Sequence, residues 1–132
     1  MKALFPYAEE TRGFVVRVSV NLMPEQSEPQ KGRWFWAYHI RIENVGDMAA
    51  QLITRHWEIT DARGTAHFVD GEGVVGDQPV LKPGGSYDYV SGCPLTTPTG
   101  MMVGSFQMIG EDGSRFDIAI PRFALKEAVT AQ

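Results

Sequence analysis

Hydrophobic residues recur at every second position in several stretches of this chain. The first runs through Phe14, Val16, Val18, Val20 and Leu22, with Arg17, Ser19 and Asn21 between them. Side chains of an extended strand alternate between faces, so this spacing predicts a strand with one buried face. Trp34, Trp36, Tyr38, Ile40 and Ile42 repeat the pattern, with His39, Arg41 and Glu43 opposite. A third strand is expected from about Gln51 to Thr60, where Ile53, Trp57 and Ile59 share a face with Arg55. An arginine on an apolar face must snorkel, sit at the edge of the sandwich or pair with an acid.

Turn residues divide the rest of the chain. Asp61-Ala62-Arg63-Gly64 suits a hairpin that returns through Thr65 to Val69, with Gly64 taking a left-handed conformation. Lys82-Pro83-Gly84-Gly85 suits a type II turn, because proline presets the first corner and glycine accepts positive φ. Further strands follow at Ser86 to Val90, Met102 to Ile109 and Arg115 to Ile120, the last two joined by a turn at Glu111-Asp112-Gly113-Ser114. About seven short strands in one small chain predict an all-β fold, namely a two-sheet antiparallel β-sandwich of immunoglobulin or fibronectin type III kind. Trp34, Trp36, Trp57 and Phe106 are expected to fill the space between the sheets. The domain is expected to span residues 13–125, after a flexible lead-in at 1–12 and before a tail at 126–132. Phe123, Leu125 and Val129 have a spacing open to a short terminal helix or a frayed tail. Pro24 to Gly32 reads as a polar, mobile connection, and Phe35, Met101 and Met102 as apolar groups that could reach solvent.

Composition narrows the function. Of 132 residues, 12 are Lys or Arg and 16 are Asp or Glu, a net charge of −4 that disfavours a nucleic-acid partner. The longest apolar run, Trp34 to Tyr38, is too short to span a bilayer, and no signal peptide opens the sequence, so no membrane association is expected. The single cysteine has no partner for an internal disulfide and fits a cytoplasmic location. Cys93 lies between glycine and proline with no histidine near it in sequence, and is read as a loop cysteine, not a nucleophile. No pair of carboxylates stands out for acid–base work, so no catalytic residue and no cofactor is expected.

Gly71-Glu72-Gly73-Val74-Val75-Gly76 matches G-x-G-x-x-G, the loop that presents backbone N–H groups to pyrophosphate at the start of a helix. Pro79 and Pro83 would break such a helix, and Asp70, Glu72 and Asp77 would repel phosphate. The loop is therefore expected to bend the chain. His67, Asp70 and Glu72 offer one nitrogen and two carboxylates, and Asp70, Glu72 or Asp77 could hold Mg²⁺ weakly through oxygen, but a solvated acidic loop is the preferred reading and no metal site is assigned. The candidate binding residues are Gly71, Gly73, Gly76, Arg55 and His56.

Several motifs resemble the bacterial ApaG family. They are Arg55-His56-Trp57, the Gly71 to Gly76 loop followed by Gln78-Pro79, Lys82-Pro83-Gly84, and Ser91-Gly92-Cys93-Pro94-Leu95-Thr96-Thr97-Pro98. Gly104-Ser105-Phe106-Gln107-Met108 and Phe116-Asp117-Ile118-Ala119-Ile120-Pro121 complete the set, which runs in order from about Gly13 to Leu125. The resemblance implies a fibronectin type III-like sandwich. Members have been linked with cobalt and magnesium tolerance, and the family's name reflects genes found near a diadenosine tetraphosphate hydrolase. The domain recurs in larger eukaryotic proteins as an interaction module, and no catalytic residues are established for it. The resemblance thus implies a non-catalytic module that binds another protein. The alternative is a small-ligand or magnesium or cobalt binder, with nucleotide binding at Gly71 to Gly76 a third reading. Partner identity and oligomeric state are left open.

Overall fold

The computed structural model of the chain describes residues 5–127. Nine strands form two facing antiparallel sheets. The first sheet has the order β1-β2-β3-β7, built from Tyr7–Thr11, Phe14–Leu22, Trp34–Asn44 and Ser86–Leu95. The second has the order β5-β4-β8-β9, built from Ala66–Glu72, Ala50–Asp61, Gly100–Gly110 and Arg115–Leu125. The two-residue strand β6, Val80–Leu81, pairs with the start of β4.

The alternation in β2 and β3 buries Phe14, Val16, Val18, Trp36, Tyr38, Ile40 and Ile42 together between the sheets, whereas Trp34, at the start of β3, is only half-buried and stands outside that core. From the other sheet Leu52, Trp57, Phe106, Met108, Ile118 and Phe123 meet them. Trp57 takes Tyr38 edge-on at 5.3 Å between centroids and Phe123 at 6.0 Å. The outer face of the first sheet is instead a charge network. Arg17 and Arg41 both donate to Glu43, while Arg41 and His39 reach Asp88.

Several sequence expectations change. The lead-in is not loose throughout, because Tyr7–Thr11 form β1 along β2, and Tyr7 packs on Phe123 at 5.8 Å. The strand β1 was hidden because Glu9 and Glu10 interrupt any alternation. In β4 the register slips between Leu52 and Thr54, so Ile53 is an extra residue and the inward set is Ala50 and Leu52, then Arg55, Trp57 and Ile59. The Ser91 to Pro94 segment is not a turn but the second half of β7, with Cys93 buried. Proline is tolerated there because β7 is an edge strand. Phe123 and Leu125 belong to β9, whereas Val129 lies outside the described residues. Residues 24–32 carry two 3-10 turns, at Pro24–Gln26 and Pro29–Lys31. Ser27 pins them, its hydroxyl donating to the Met23 carbonyl and accepting the Phe35 N–H.

The two sides of the sandwich differ. On one, β1 and β2 pack against β9, and the Ala119 N–H donates to the Thr11 hydroxyl at 3.1 Å. On the other, β5 and β7 are the outer strands of their sheets. A cleft opens between them.

Candidate functional site

The cleft has a volume of about 510 Å³. That lies within the range of pockets that enclose small ligands. Its floor is apolar, formed by Trp57, Ile59 and Met102 from the second sheet and Tyr38 and Leu95 from the first. Val69 and His67 on β5 and Ser91 and Cys93 on β7 form its walls. Asp61 is its one acid, and that carboxylate is committed: Oδ1 accepts the N–H of Arg63 at 2.9 Å and of Thr65 at 3.0 Å, closing the β4–β5 turn.

Arg55 also lines the cleft. Its Nη1 donates to the carbonyls of Glu72 and Gly73, both at 2.9 Å. Arg55 pairs with Gly71 across the β4–β5 ladder, and a Cβ on Gly71 would fall 2.7 Å from Nη2. The missing side chain makes room for the guanidinium to lie over the β5 backbone. Among the described residues no carboxylate forms an ion pair with Arg55. Of the three roles open to an arginine on this face, Arg55 takes the position at the edge of the sandwich, on the interior strand β4, and bonds carbonyls instead of an acid.

The G-x-G-x-x-G segment does not start a helix. The Gly73 N–H donates to the Ile53 carbonyl at 2.7 Å, and Val74 and Asp77 exchange N–H···O bonds at 2.8 and 2.9 Å. Val74 is fully buried in the core, so the loop plugs the end of the sandwich. Gly73 and Gly76 have positive φ of 61° and 85°, and a Cβ on Gly73 would collide with the Asp77 carbonyl. The amides of Gly73 and Val74 and the carbonyls of Glu72, Gly73 and Val74 are thus engaged within the chain.

The five sequence-derived site residues therefore divide. Arg55, Gly71 and Gly73 meet at the cleft wall, and Gly76 sits at the loop tip. His56 projects to the opposite face of β4, where Nδ1 meets the Asp70 carboxylate at 2.6 Å and the ring stacks against Phe68. The Asp77 carboxylate accepts the Tyr87 hydroxyl at 2.7 Å. Among the described residues no three His, Cys, Asp or Glu side chains converge as metal ligands.

Burial pushes the Cys93 thiol up to about 11, so it stays protonated at neutral pH, and its hydrogen-bond contact is the Pro94 carbonyl at 3.8 Å. Burial likewise raises the phenols of Tyr38 and Tyr89. The exposed apolar groups are not those expected. Phe35 lies across Gly92, Met101 is half-buried and Met102 is buried. Phe68, Val69 and Val75 are exposed instead, on β5 and the loop beyond it. In the sequence, the signals for this site were an arginine on an apolar face and a glycine at the start of the following loop.

Comparison with known proteins agrees with the motif resemblance. The family model of the ApaG domain (DUF525) matches residues 24–110. Protein ApaG of Afipia carboxidovorans is 54% identical over 119 residues, covering 90% of this chain and 92% of that protein. Protein ApaG of Rhodospirillum centenum is 50% identical over the same length and coverage. A Bordetella pertussis protein of known crystal structure superposes with a TM-score of 0.86 at 44% identity, covering 89% of this chain and 95% of that one.

Proposed function

We propose, from the premise that this chain belongs to the ApaG family, that it is a non-catalytic module that binds another protein along its β5 edge. The observation that carries this reading is the character of that edge. Strand β5 pairs only with β4 and carries no lysine, proline or bulge; its charged residues are Asp70, which is paired with His56, and Glu72. Phe68 is 62% exposed on it, and Val75 is 63% exposed just beyond. Apolar groups beside an unpaired strand suit β-augmentation, in which the partner's main chain extends the sheet and its side chains cover the patch.

The remaining features support binding over catalysis. The buried thiol is protonated, and the His56–Asp70 pair projects from the opposite face of β4 to the cleft. The cation reading is weakened because Asp70 and Asp77 already serve His56 and Tyr87. Among the described residues no helix is long and apolar enough to cross a membrane. We place the protein in the cytoplasm, a location supported by its lone, buried cysteine.

The test is affinity capture from a lysate of the source cells with three immobilised forms: wild type, Phe68→Glu and Val90→Glu. Val90 is 59% exposed on β7 and controls for surface charge. The expected result is a set of proteins held by wild type and Val90→Glu and lost with Phe68→Glu. Capture by Phe68→Glu equal to wild type, or no capture by wild type at low salt, overturns the reading.

A further inference from the structure

We propose that the cleft between β5 and β7 is a binding site for a carboxylate carried on an apolar body, with Arg55 as its anion anchor. The proposal stands apart from the β5-edge reading, because it concerns the inner face of the same side of the sandwich.

Three observations converge on it. First, the cleft is a cavity of about 510 Å³ with a floor of Trp57, Ile59, Met102 and Leu95, a surface that gains by excluding water. Second, its one cation is pre-positioned. Nη1 of Arg55 is held by the Glu72 and Gly73 carbonyls, which fixes the plane of the guanidinium and leaves Nε and Nη2 without a hydrogen-bond partner among the described residues. A fork fixed in this way matches a carboxylate in two parallel hydrogen bonds and loses little freedom on binding. The absence of a Cβ at Gly71 is what allows this seat. Third, the wall offers few competing acceptors. Asp61 Oδ1 already accepts two backbone N–H groups, the Cys93 thiol turns to the Pro94 carbonyl, and the Ser91 hydroxyl bonds the Tyr38 phenol. Trp57, 2% exposed, has an indole N–H with no partner.

The charge count selects a monoanion. Arg55 is the one Lys or Arg side chain that lines the cleft, and Asp61 is the one carboxylate in its wall. A phosphate dianion would keep one uncompensated charge beside Asp61, whereas a carboxylate is neutralised by the fork alone. A small apolar acid and the free carboxyl end of an apolar peptide share this chemistry.

The experiment uses the wild-type protein with paired probes, followed by amide and indole N–H cross-peaks in nuclear magnetic resonance spectra. The probes are 4-phenylbutyrate against 4-phenylbutanamide, the tripeptide N-acetyl-Val-Phe-Val with a free carboxylate against its C-terminal amide, and phenyl phosphate. At least one acid is expected to shift Trp57, Val69 and Cys93 saturably and to bind about tenfold or more tightly than its own amide, as a charge-assisted pair requires. The acid that binds identifies the source: a free small acid or a peptide terminus. Arg55→Met should erase the difference between acid and amide, and Phe68→Glu should leave it intact. The acid–amide comparison on wild type stands even if Arg55→Met folds poorly. Equal binding of acid and amide, tighter binding of phenyl phosphate than of either carboxylate, or no shift from either acid at millimolar concentration overturns the proposal.

Discussion

Replacing Gly73 by alanine separates a structural loop from a phosphate cradle. Gly73 sits at φ 61°, where a residue with a Cβ is disfavoured by about 1–2 kcal/mol. The new Cβ would also strike the backbone carbonyl of Asp77, and backbone cannot swing aside as a side-chain tip can. Relief requires moving the 74–77 turn, which lifts fully buried Val74 out of the core. Exposing a side chain of that size costs about 1.5–3 kcal/mol. Together these give a loss of about 2.5–5 kcal/mol. The other two glycines of the motif serve as controls. At Gly76, with φ 85° and no atom within 4 Å of an added Cβ, alanine should cost about 1 kcal/mol, the conformational term alone. At Gly71 the added Cβ meets only the end of the Arg55 side chain, which can shift into the cleft at a loss of about 1 kcal/mol. Guanidinium chloride unfolding at pH 7 reads all three as shifts in midpoint at constant slope. The order Gly73 well above Gly76 and Gly71 is expected. Gly73→Ala within 1 kcal/mol of wild type, or an equal loss at Gly76, would refute the argument that the segment acts by plugging the core.

Two further outcomes follow from the buried polar groups. The Tyr89 hydroxyl is buried with no partner, so Tyr89→Phe should leave stability unchanged or raise it by up to about 1 kcal/mol in the same unfolding assay; a loss of that size would contradict its isolation. The Cys93 thiol is raised to about 11 in the folded state, so the unfolded chain ionises first: stability is whole below about pH 9 and falls as pH climbs to about 11, and Cys93→Ala should flatten that decline by about 3 kcal/mol.

Much of the fold was legible in the chain because its signals are local. Alternation in β2 and β3 spans consecutive residues, and Asp61 closes its own turn through the N–H groups of Arg63 and Thr65 with Gly64 at φ 87°. The proline pair at Pro79 and Pro83 likewise forbade a helix after Gly76, and none is there. Where the local signal was faint, the reading failed. Strand β1 has Glu9 and Glu10 at its centre, and what orders it is pairing with β2 and packing on β9. The slip in β4 reverses the facing of its residues, and a bulge has no dependable mark in a sequence of apolar and β-branched residues.

The candidate site shows the same division. The sequence by itself placed an arginine on an apolar face and a glycine in the loop after the next strand, and it excluded the helix that a phosphate site would need. Only the tertiary structure decided that Gly71 lies opposite Arg55 and that β5 and β7 are both left at sheet edges with a cleft between them. Periodicity and turn chemistry act over a few residues, whereas the order of strands in a sheet, and hence which edges stay open, depends on pairings between segments far apart in the chain.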